Sequence, residues 1–130
     1  MGVTHVTVAL KGFGSSNGVY EADFLVDTGA TDSLAPAPEL RKISVQPQET
    51  RLYEPADGTI REYPFGLVEI TFFGEITAGR VTFGPDDSEP LLGVTALESV
   101  GIMVDPANRT LKRLPAIPLM WSAKEAGYQR

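Results

Sequence analysis

Glycine and proline punctuate the chain about every eight to twelve residues and separate short segments rich in Val, Ile, Thr, Phe and Tyr. This spacing is typical of the strands of an all-β barrel or sandwich. The first segment alternates, so that Val6, Val8 and Leu10 share one face, as a half-buried strand requires. No long segment has helical periodicity. The sequence therefore predicts an all-β fold.

The remaining predicted elements follow the same punctuation. Asn17-Gly18 favours the positive φ angles of a hairpin turn after the first strand. One short helix is predicted at 95–100, with Thr95 as N-cap, Glu98 in the capping-box position and Gly101 ending the helix. Further strands are predicted at 19–26, 33–35, 45–53, 60–73, 75–83, 102–104 and 110–114.

Composition narrows the range of functions. The chain has no cysteine, which excludes disulfides, thiolate zinc sites and cysteine nucleophiles. His5 is the only histidine, which disfavours a histidine metal site or a Ser-His-Asp triad, and we expect no metal. A net charge of −6 without a basic stripe disfavours nucleic acid and membranes as partners. The sequence has neither a signal peptide nor a membrane span, so we expect a cytoplasmic protein.

One segment has the composition of a chemical site rather than of a plain strand. The apolar run Phe24-Leu25-Val26 leads directly into Asp27, which is followed by Thr28-Gly29-Ala30. An ionised carboxylate is strongly disfavoured away from water unless another group shares its charge. A turn at the end of a strand is the plain alternative, since Asp, Thr and Gly are common turn residues. The apolar approach favours a functional carboxylate.

Asp27-Thr28-Gly29-Ala30 after two apolar residues resembles the active-site signature of the retropepsin-like, or retroviral-type, aspartic proteases. Leu91-Leu92-Gly93, followed by the predicted helix, is similar to the family's second hallmark, and the polar segment 53–59 lies where the family carries its substrate-covering flap. The resemblance covers roughly residues 3–114. It implies a closed β-barrel of the acid-protease type with one short C-terminal helix. We expect residues 1–114 to form this domain and residues 115–130 to be a C-terminal extension.

The resemblance also implies a role for each matching residue. Asp27 would be catalytic, and Thr28, Gly29 and Ala30 would support the active-site loop. Asp57 and Gly58 would belong to the flap, with Gly58 near its tip. Leu92 and Gly93 would be structural residues near the site.

Two departures from the viral pattern occur together. Viral members usually have an acidic residue directly after the alanine and an arginine directly after the second glycine, where this chain has Thr31 and Val94. The ion pair that supports the viral dimer is therefore absent from these positions. Because both halves are missing, the sequence is more similar to the bacterial single-domain members of the family.

The chemistry of amide hydrolysis explains why a second copy is needed. Attack by water requires a base and an acid, and two carboxyls held about 3 Å apart share one proton and supply both. The chain contains one Asp-Thr-Gly, since Asp57-Gly58-Thr59 has the letters in a different order. A two-fold homodimer would bring Asp27 against its own symmetry mate. We expect an aspartic endopeptidase that acts on peptides or proteins without a cofactor.

Two other functions stay open at this point. A retropepsin-like fold that binds peptides or mediates dimerisation without catalysis would keep the cleft and lose the chemistry. An enzyme of different chemistry on a β-barrel would remain active without Asp27.

Overall fold

A computed structural model describes residues 4–14 and 17–119 of the chain. These residues form nine strands and two short helices. The strands are β1 (His5–Gly12), β2 (Tyr20–Asp27), β3 (Ser33–Pro36), β4 (Glu49–Tyr53), β5 (Arg61–Phe72), β6 (Glu75–Gly84), β7 (Leu91–Gly93), β8 (Ile102–Asp105) and β9 (Thr110–Arg113). The helices are α1 (Ala37–Lys42) and α2 (Val94–Ser99).

Six of the strands close into a barrel. Their order is β1-β2-β7-β3-β6-β5, and β5 pairs back onto β1, with Leu10 opposite Ile70. Pairing is mostly antiparallel, but β2 with β7 and β3 with β6 run parallel. β4 lies outside the ring and pairs with β5 alone. The predicted all-β, closed-barrel fold is confirmed.

The core lies inside this barrel and is built by strand alternation. Val8 and Leu10 are fully buried and Val6 packs against the same cluster, as the period-two pattern of β1 predicted. Phe24 and Phe72 are the largest of the fully buried side chains. Full burial of such a side chain contributes about 1.5–3 kcal/mol, so the barrel interior accounts for most of the hydrophobic stabilisation.

The hairpin between β5 and β6 has a two-residue turn, Phe73-Gly74, whose φ angles are 53° and 77°. Two positive φ angles are the mark of a type I′ turn, which glycine adopts easily and phenylalanine does not. Arg113 covers this turn. Its guanidinium stacks on the Phe73 ring at 4.6 Å, donates to the Phe73 carbonyl at 2.6 Å and pairs with Glu75 at 2.8 Å. The β8–β9 hairpin is thereby tied to the barrel.

Three local predictions differ from the structure. Helix α1 was not predicted; it begins directly after Pro36 and has Pro38 in its first turn. The predicted capping box of α2 is wrong, because the helix begins at Val94 after Gly93 and no side chain caps it. Thr95 is already inside the helix. Gly101 follows the helix at φ 70°, as predicted for a left-handed terminating glycine.

The segment before β4 also differs from its prediction. The strand was expected to start at residue 45 and starts at Glu49. Val45 instead donates its N–H to the carbonyl of Leu40 and closes the end of α1, after Ser44 at φ 62°. Val45 is buried there as part of the core.

The end of the chain was predicted in two parts. The hairpin at 102–104 and 110–114 is present as β8 and β9, with Val104 and Leu111 packed against the core. Of the extension, residues 120–130 lie outside the described residues, and the boundary at 114 stays a prediction. No helix in the described part of the chain is long and apolar enough to cross a membrane.

Candidate active site

Asp27 owes its position to the pairing of β2 with β7. The two strands run parallel, with Leu25 opposite Leu91 and Asp27 opposite Gly93. The two motifs singled out in the sequence therefore lie side by side at the same end of the barrel. The unbroken apolar run before Asp27 predicts a strand buried on both faces. Phe24 is fully buried, whereas the residues that follow it are half-buried.

The turn after β2 fixes the Asp27 carboxyl. Its Oδ1 accepts a hydrogen bond from the N–H of Gly29 at 3.0 Å, and its carbonyl accepts one from the N–H of Ala30 at 3.1 Å. A Cβ at position 29 would lie 3.3 Å from that Oδ1, which is a crowded contact. A side chain at position 29 would therefore push the Asp27 carboxyl by a few tenths of an ångström. Asp27 itself is half-buried, so its second oxygen can face a ligand.

The loop after Asp27 is held from below by the start of α2. Val94 donates its N–H to the carbonyl of Ala30 at 2.8 Å, and Thr95 donates to the carbonyl of Thr31 at 3.3 Å. Val94, noted as a departure from the viral pattern, thus supports the loop through its backbone.

Gly93 and Leu92 have the structural surroundings that the sequence led us to expect. A Cβ on Gly93 would lie 2.6 Å from the carbonyl carbon of Asp32 and 2.7 Å from the carbonyl oxygen of Thr31. Backbone atoms cannot retreat as a flexible side chain can, so only glycine fits. Leu92 is fully buried in the core beneath the loop.

A cleft of about 970 Å³ opens above this loop. Asp27, Gly29 and Ala30 line it, while Thr28 is exposed and does not. The opposite set of lining residues comes from the end of β4 and the loop after it, residues 52–56. β4, the loop 54–60 and the start of β5 form one projecting hairpin, which we call the flap hairpin (residues 49–65).

The tip of the flap hairpin is a self-contained turn. Gly58 has φ 81° and donates its N–H to the carbonyl of Pro55 at 2.9 Å. Asp57 Oδ1 accepts from the hydroxyl of Thr59 at 2.7 Å and from its N–H at 3.0 Å, while Arg61 approaches the other oxygen at 3.3 Å. These hydrogen bonds, the hydroxyl's first, lower the pKa of Asp57. Asp57 and Gly58 thus shape the hairpin tip and do not line the cleft.

Sequence reasoning missed Asp32 and Tyr53, which meet in the wall of the cleft. The Tyr53 hydroxyl donates a hydrogen bond of 3.0 Å to Asp32 Oδ2, and Arg80 lies 3.9 Å from the same oxygen. Asp32 is therefore an acidic residue one position later than the acidic residue of the viral pattern. Its arginine partner, Arg80, lies in β6. The acid itself was visible in the sequence, but its partners were not.

Acidic side chains dominate the polar lining of the cleft. Asp27, Asp32, Glu54 and Glu89 line it, and none of the lysines or arginines in the described part of the chain does. Within residues 4–14 and 17–119, no group of three or more His, Asp or Glu side chains is arranged to hold a metal ion.

A closed barrel of six strands, with an Asp-Thr-Gly loop fastened to a Leu-Leu-Gly strand and its helix, defines a retropepsin-like protein. Two examples represent the solved structures that share the fold. The protease of EIAV, complexed with the inhibitor HBY-793, is 19% identical with a TM-score of 0.58 and covers 77% of this chain and 89% of its own. A retropepsin-like aspartic protease from Rickettsia conorii is 23% identical with a TM-score of 0.52 and covers 78% of this chain and 77% of its own.

Comparison of the sequence with family models identifies the family. The profile of the family described as aspartyl protease matches residues 13–96, which is more than half of the chain. The chain belongs to this family. Comparison with curated proteins found no match.

Proposed function

We propose that this protein is an aspartic endopeptidase that hydrolyses peptide bonds as a homodimer, with Asp27 of each subunit forming the catalytic dyad. One observation carries the proposal. Asp27 lies at the floor of a cleft large enough for a peptide segment, and its carboxyl is oriented by the N–H of Gly29. Family membership supports the same reaction class.

The chemistry follows from two carboxyls that share one proton. The ionised carboxylate takes a proton from a water molecule while the water oxygen attacks the carbonyl carbon of the peptide. The protonated carboxyl gives its proton to the carbonyl oxygen, which completes a tetrahedral gem-diol intermediate. The intermediate collapses as the carboxyl that took the proton from water gives it to the leaving nitrogen, while its neighbour takes a proton back from one hydroxyl of the intermediate. The reaction needs no cofactor. It is fastest at mildly acidic pH, where one carboxyl of the pair is protonated and its neighbour is not.

The surrounding residues support the reaction without taking part in it. Gly29 and Ala30 keep the floor of the cleft low, because neither carries a side chain larger than a methyl group. Thr28, exposed on the loop, is available for contact with the second subunit. The flap hairpin closes over the bound peptide and excludes water, with the Asp57-Gly58 turn at its tip. The substrates are peptides or proteins of the cytoplasm.

The test compares Asp27→Asn with Asp86→Asn, a substitution in an exposed loop outside the cleft. Both proteins and the wild type are incubated with an unstructured protein between pH 4 and 7, with and without a statine inhibitor. We expect the wild type and Asp86→Asn to cut the substrate, the inhibitor to stop them, and Asp27→Asn to be inactive.

The same experiment separates the alternatives. Equal and negligible cleavage by all three proteins, together with peptide binding, would leave a non-catalytic peptide-binding or dimerisation module. Cleavage that survives Asp27→Asn would indicate a different chemistry in the cleft and would refute the proposed dyad.

A further inference from the structure

The flap hairpin is attached to the rest of the molecule at few points. β4 is the outer strand of its sheet and pairs only with β5, from Glu49 opposite Phe65 to Tyr53 opposite Arg61. The loop that follows is almost entirely exposed. A strand paired on one side and open on the other depends on side-chain contacts to hold its angle over the barrel.

Most polar contacts of this hairpin stay within it. Thr50 donates to Glu62, Arg51 pairs with Glu49, and Asp57 bonds with Thr59 and Arg61. Among the described residues, Tyr53 alone in the segment 49–60 has a side chain that bonds outside residues 49–65. The side-chain hydrogen bonding of residues 49–60 to the rest of the described chain therefore concentrates at the Tyr53 hydroxyl.

The acceptor of that hydroxyl is held firmly. The Asp32 side chain is only 12% exposed, and Arg80 lies 3.9 Å from the oxygen that accepts the Tyr53 hydrogen bond. Arg80 is in turn stacked on the buried ring of Phe65 at 4.8 Å. The backbone of Asp32 lies against Gly93, where a methyl group would not fit. Asp32 is thus a fixed point of the loop that carries Asp27.

The Tyr53 hydroxyl can donate this hydrogen bond throughout the pH range in which a carboxyl dyad is active. Burial raises the pKa of the Tyr53 hydroxyl, and the nearby Asp32 carboxylate raises it further, while the hydroxyl of Thr82 and the charge of Arg80 oppose the rise. A tyrosine whose pKa lies above its ordinary value of 10.0 keeps its proton in acid and at neutral pH. Tyr53 therefore remains a donor.

We propose that the hydrogen bond between Tyr53 and Asp32 acts as a latch. It holds the flap hairpin over the cleft before a peptide binds. Tyr53 and Asp32 are both positioning residues, and the inference rests on the proposed protease function. Without the latch the flap hairpin spends part of its time displaced, and the apparent affinity for a peptide falls by the fraction of molecules in the competent state. Once a peptide is bound, its own contacts restore the closed position. Loss of the latch therefore raises KM and changes kcat little.

The deciding variant is Tyr53→Phe, which removes the hydroxyl and keeps the ring. The matched control is Tyr20→Phe, because Tyr20 lies outside the cleft and its hydroxyl has no hydrogen-bond partner among the described residues. We expect Tyr53→Phe to raise KM about fivefold, which corresponds to a flap hairpin in the competent position in about one molecule in five, with kcat changed less than about twofold. Tyr20→Phe should leave both parameters unchanged.

Two variants of the acceptor separate the hydrogen bond from the charge. Asp32→Asn keeps an oxygen that accepts from Tyr53, and Asp32→Ala removes it. We expect KM to rise more in Asp32→Ala than in Asp32→Asn, because the amide oxygen of Asn still accepts the hydrogen bond from Tyr53. In the double variant Tyr53→Phe/Asp32→Ala, KM should match that of Asp32→Ala, because the latch can be lost only once. An equal rise in Asp32→Asn and Asp32→Ala would assign the effect to charge and overturn the latch.

Hydrogen exchange decides the question independently of activity. Backbone amides of residues 49–60 should exchange faster in Tyr53→Phe than in Tyr20→Phe, while barrel amides away from both substitutions exchange equally in the two variants. Unchanged exchange in Tyr53→Phe would refute the latch even if the protein is an active protease. Faster exchange in a protein that cuts nothing would keep the latch and refute the proposed function.

Discussion

The backbone N–H of Gly93 donates a hydrogen bond of 3.0 Å to the hydroxyl of Ser33, and both groups are buried. Ser33 opens β3 and Gly93 closes β7, so this bond joins the strand that follows the Asp27 loop to the strand that pairs with β2. A polar group enclosed in this way must keep its partner, because water cannot replace it. The pair therefore contributes directly to the shape of the candidate active site.

Removing the Ser33 hydroxyl should destabilise the protein. Ser33→Ala leaves the N–H of Gly93 buried without an acceptor, which costs about 1–3 kcal/mol in the free energy of unfolding. Urea denaturation measures the change. Ser88→Ala is the control, since that hydroxyl bonds to the carbonyl of Pro85 in a more exposed loop and its loss should cost less than about 0.5 kcal/mol. Equal costs for the two substitutions would contradict the role given to the buried bond.

A single methyl group at position 93 should be more damaging still. The Cβ of Gly93→Ala would meet backbone atoms of Asp32 and Thr31 at 2.6–2.7 Å, so the loop must shift. We expect a loss of about 1–3 kcal/mol or more, typical of overpacking, together with a loss of activity. Gly79→Ala is the matched control in β6, because its Cβ would meet only Ile70 at 3.6 Å. Thermal unfolding and peptide cleavage of the two variants give the comparison.

Mixing subunits tests whether two copies share one active site. Equal amounts of wild type and Asp27→Asn, allowed to exchange, pair at random, so the activity should fall to about half that of the same wild-type protein alone. An equal amount of Asp86→Asn added instead should about double the activity, because every dimer is then active. Activity per chain should also fall on dilution as dimers dissociate. Activity indifferent to both mixing and dilution would show that a single chain is sufficient.

The turn at the tip of the flap hairpin should persist in mild acid. The pKa of Asp57 is lowered in the folded protein, first by the hydroxyl of Thr59. A lowered pKa means that the stabilising contribution is present above the ordinary carboxyl value and is lost only as the pH falls through the lower, folded value. NMR titration of the Asp57 carboxyl measures this directly. Thr59→Val should move its pKa up toward the ordinary value, whereas Thr71→Val, on the exposed face of β5, should leave it in place.

Strand positions could be predicted from the sequence because the alternation of apolar and polar residues follows the burial of the two faces of a strand. Val6, Val8 and Leu10 point inward as their spacing requires, and the glycines that end strands do so in the structure. Helix α1 was not accessible, since six residues with one buried side chain, Leu40, contain no detectable period. The N-terminus of α2 was misplaced because Thr95 and Glu98 fit a capping box that the backbone does not use.

Part of the candidate site could likewise be predicted from the sequence and part could not. The Asp27 loop and Gly93 were found because each is a short contiguous motif. Their parallel pairing joins residues far apart in the chain, and alternation carries no information about which strands become neighbours. The contact of Tyr53 with Asp32 is of the same kind, since each side chain taken alone is an ordinary surface residue type. Long-range pairs of this sort become visible only when the fold is known.

The closed ring of strands has a consequence for the accuracy of the site. Since β1 pairs with both β2 and β5, no barrel strand has a free edge along which it can slide. A shift of β2 by one residue would turn Phe24 outward and would require compensating shifts in its neighbours around the circumference. The carboxyl at the end of that strand is therefore placed by the barrel as a whole, and ordinary thermal motion of one strand cannot carry it out of alignment.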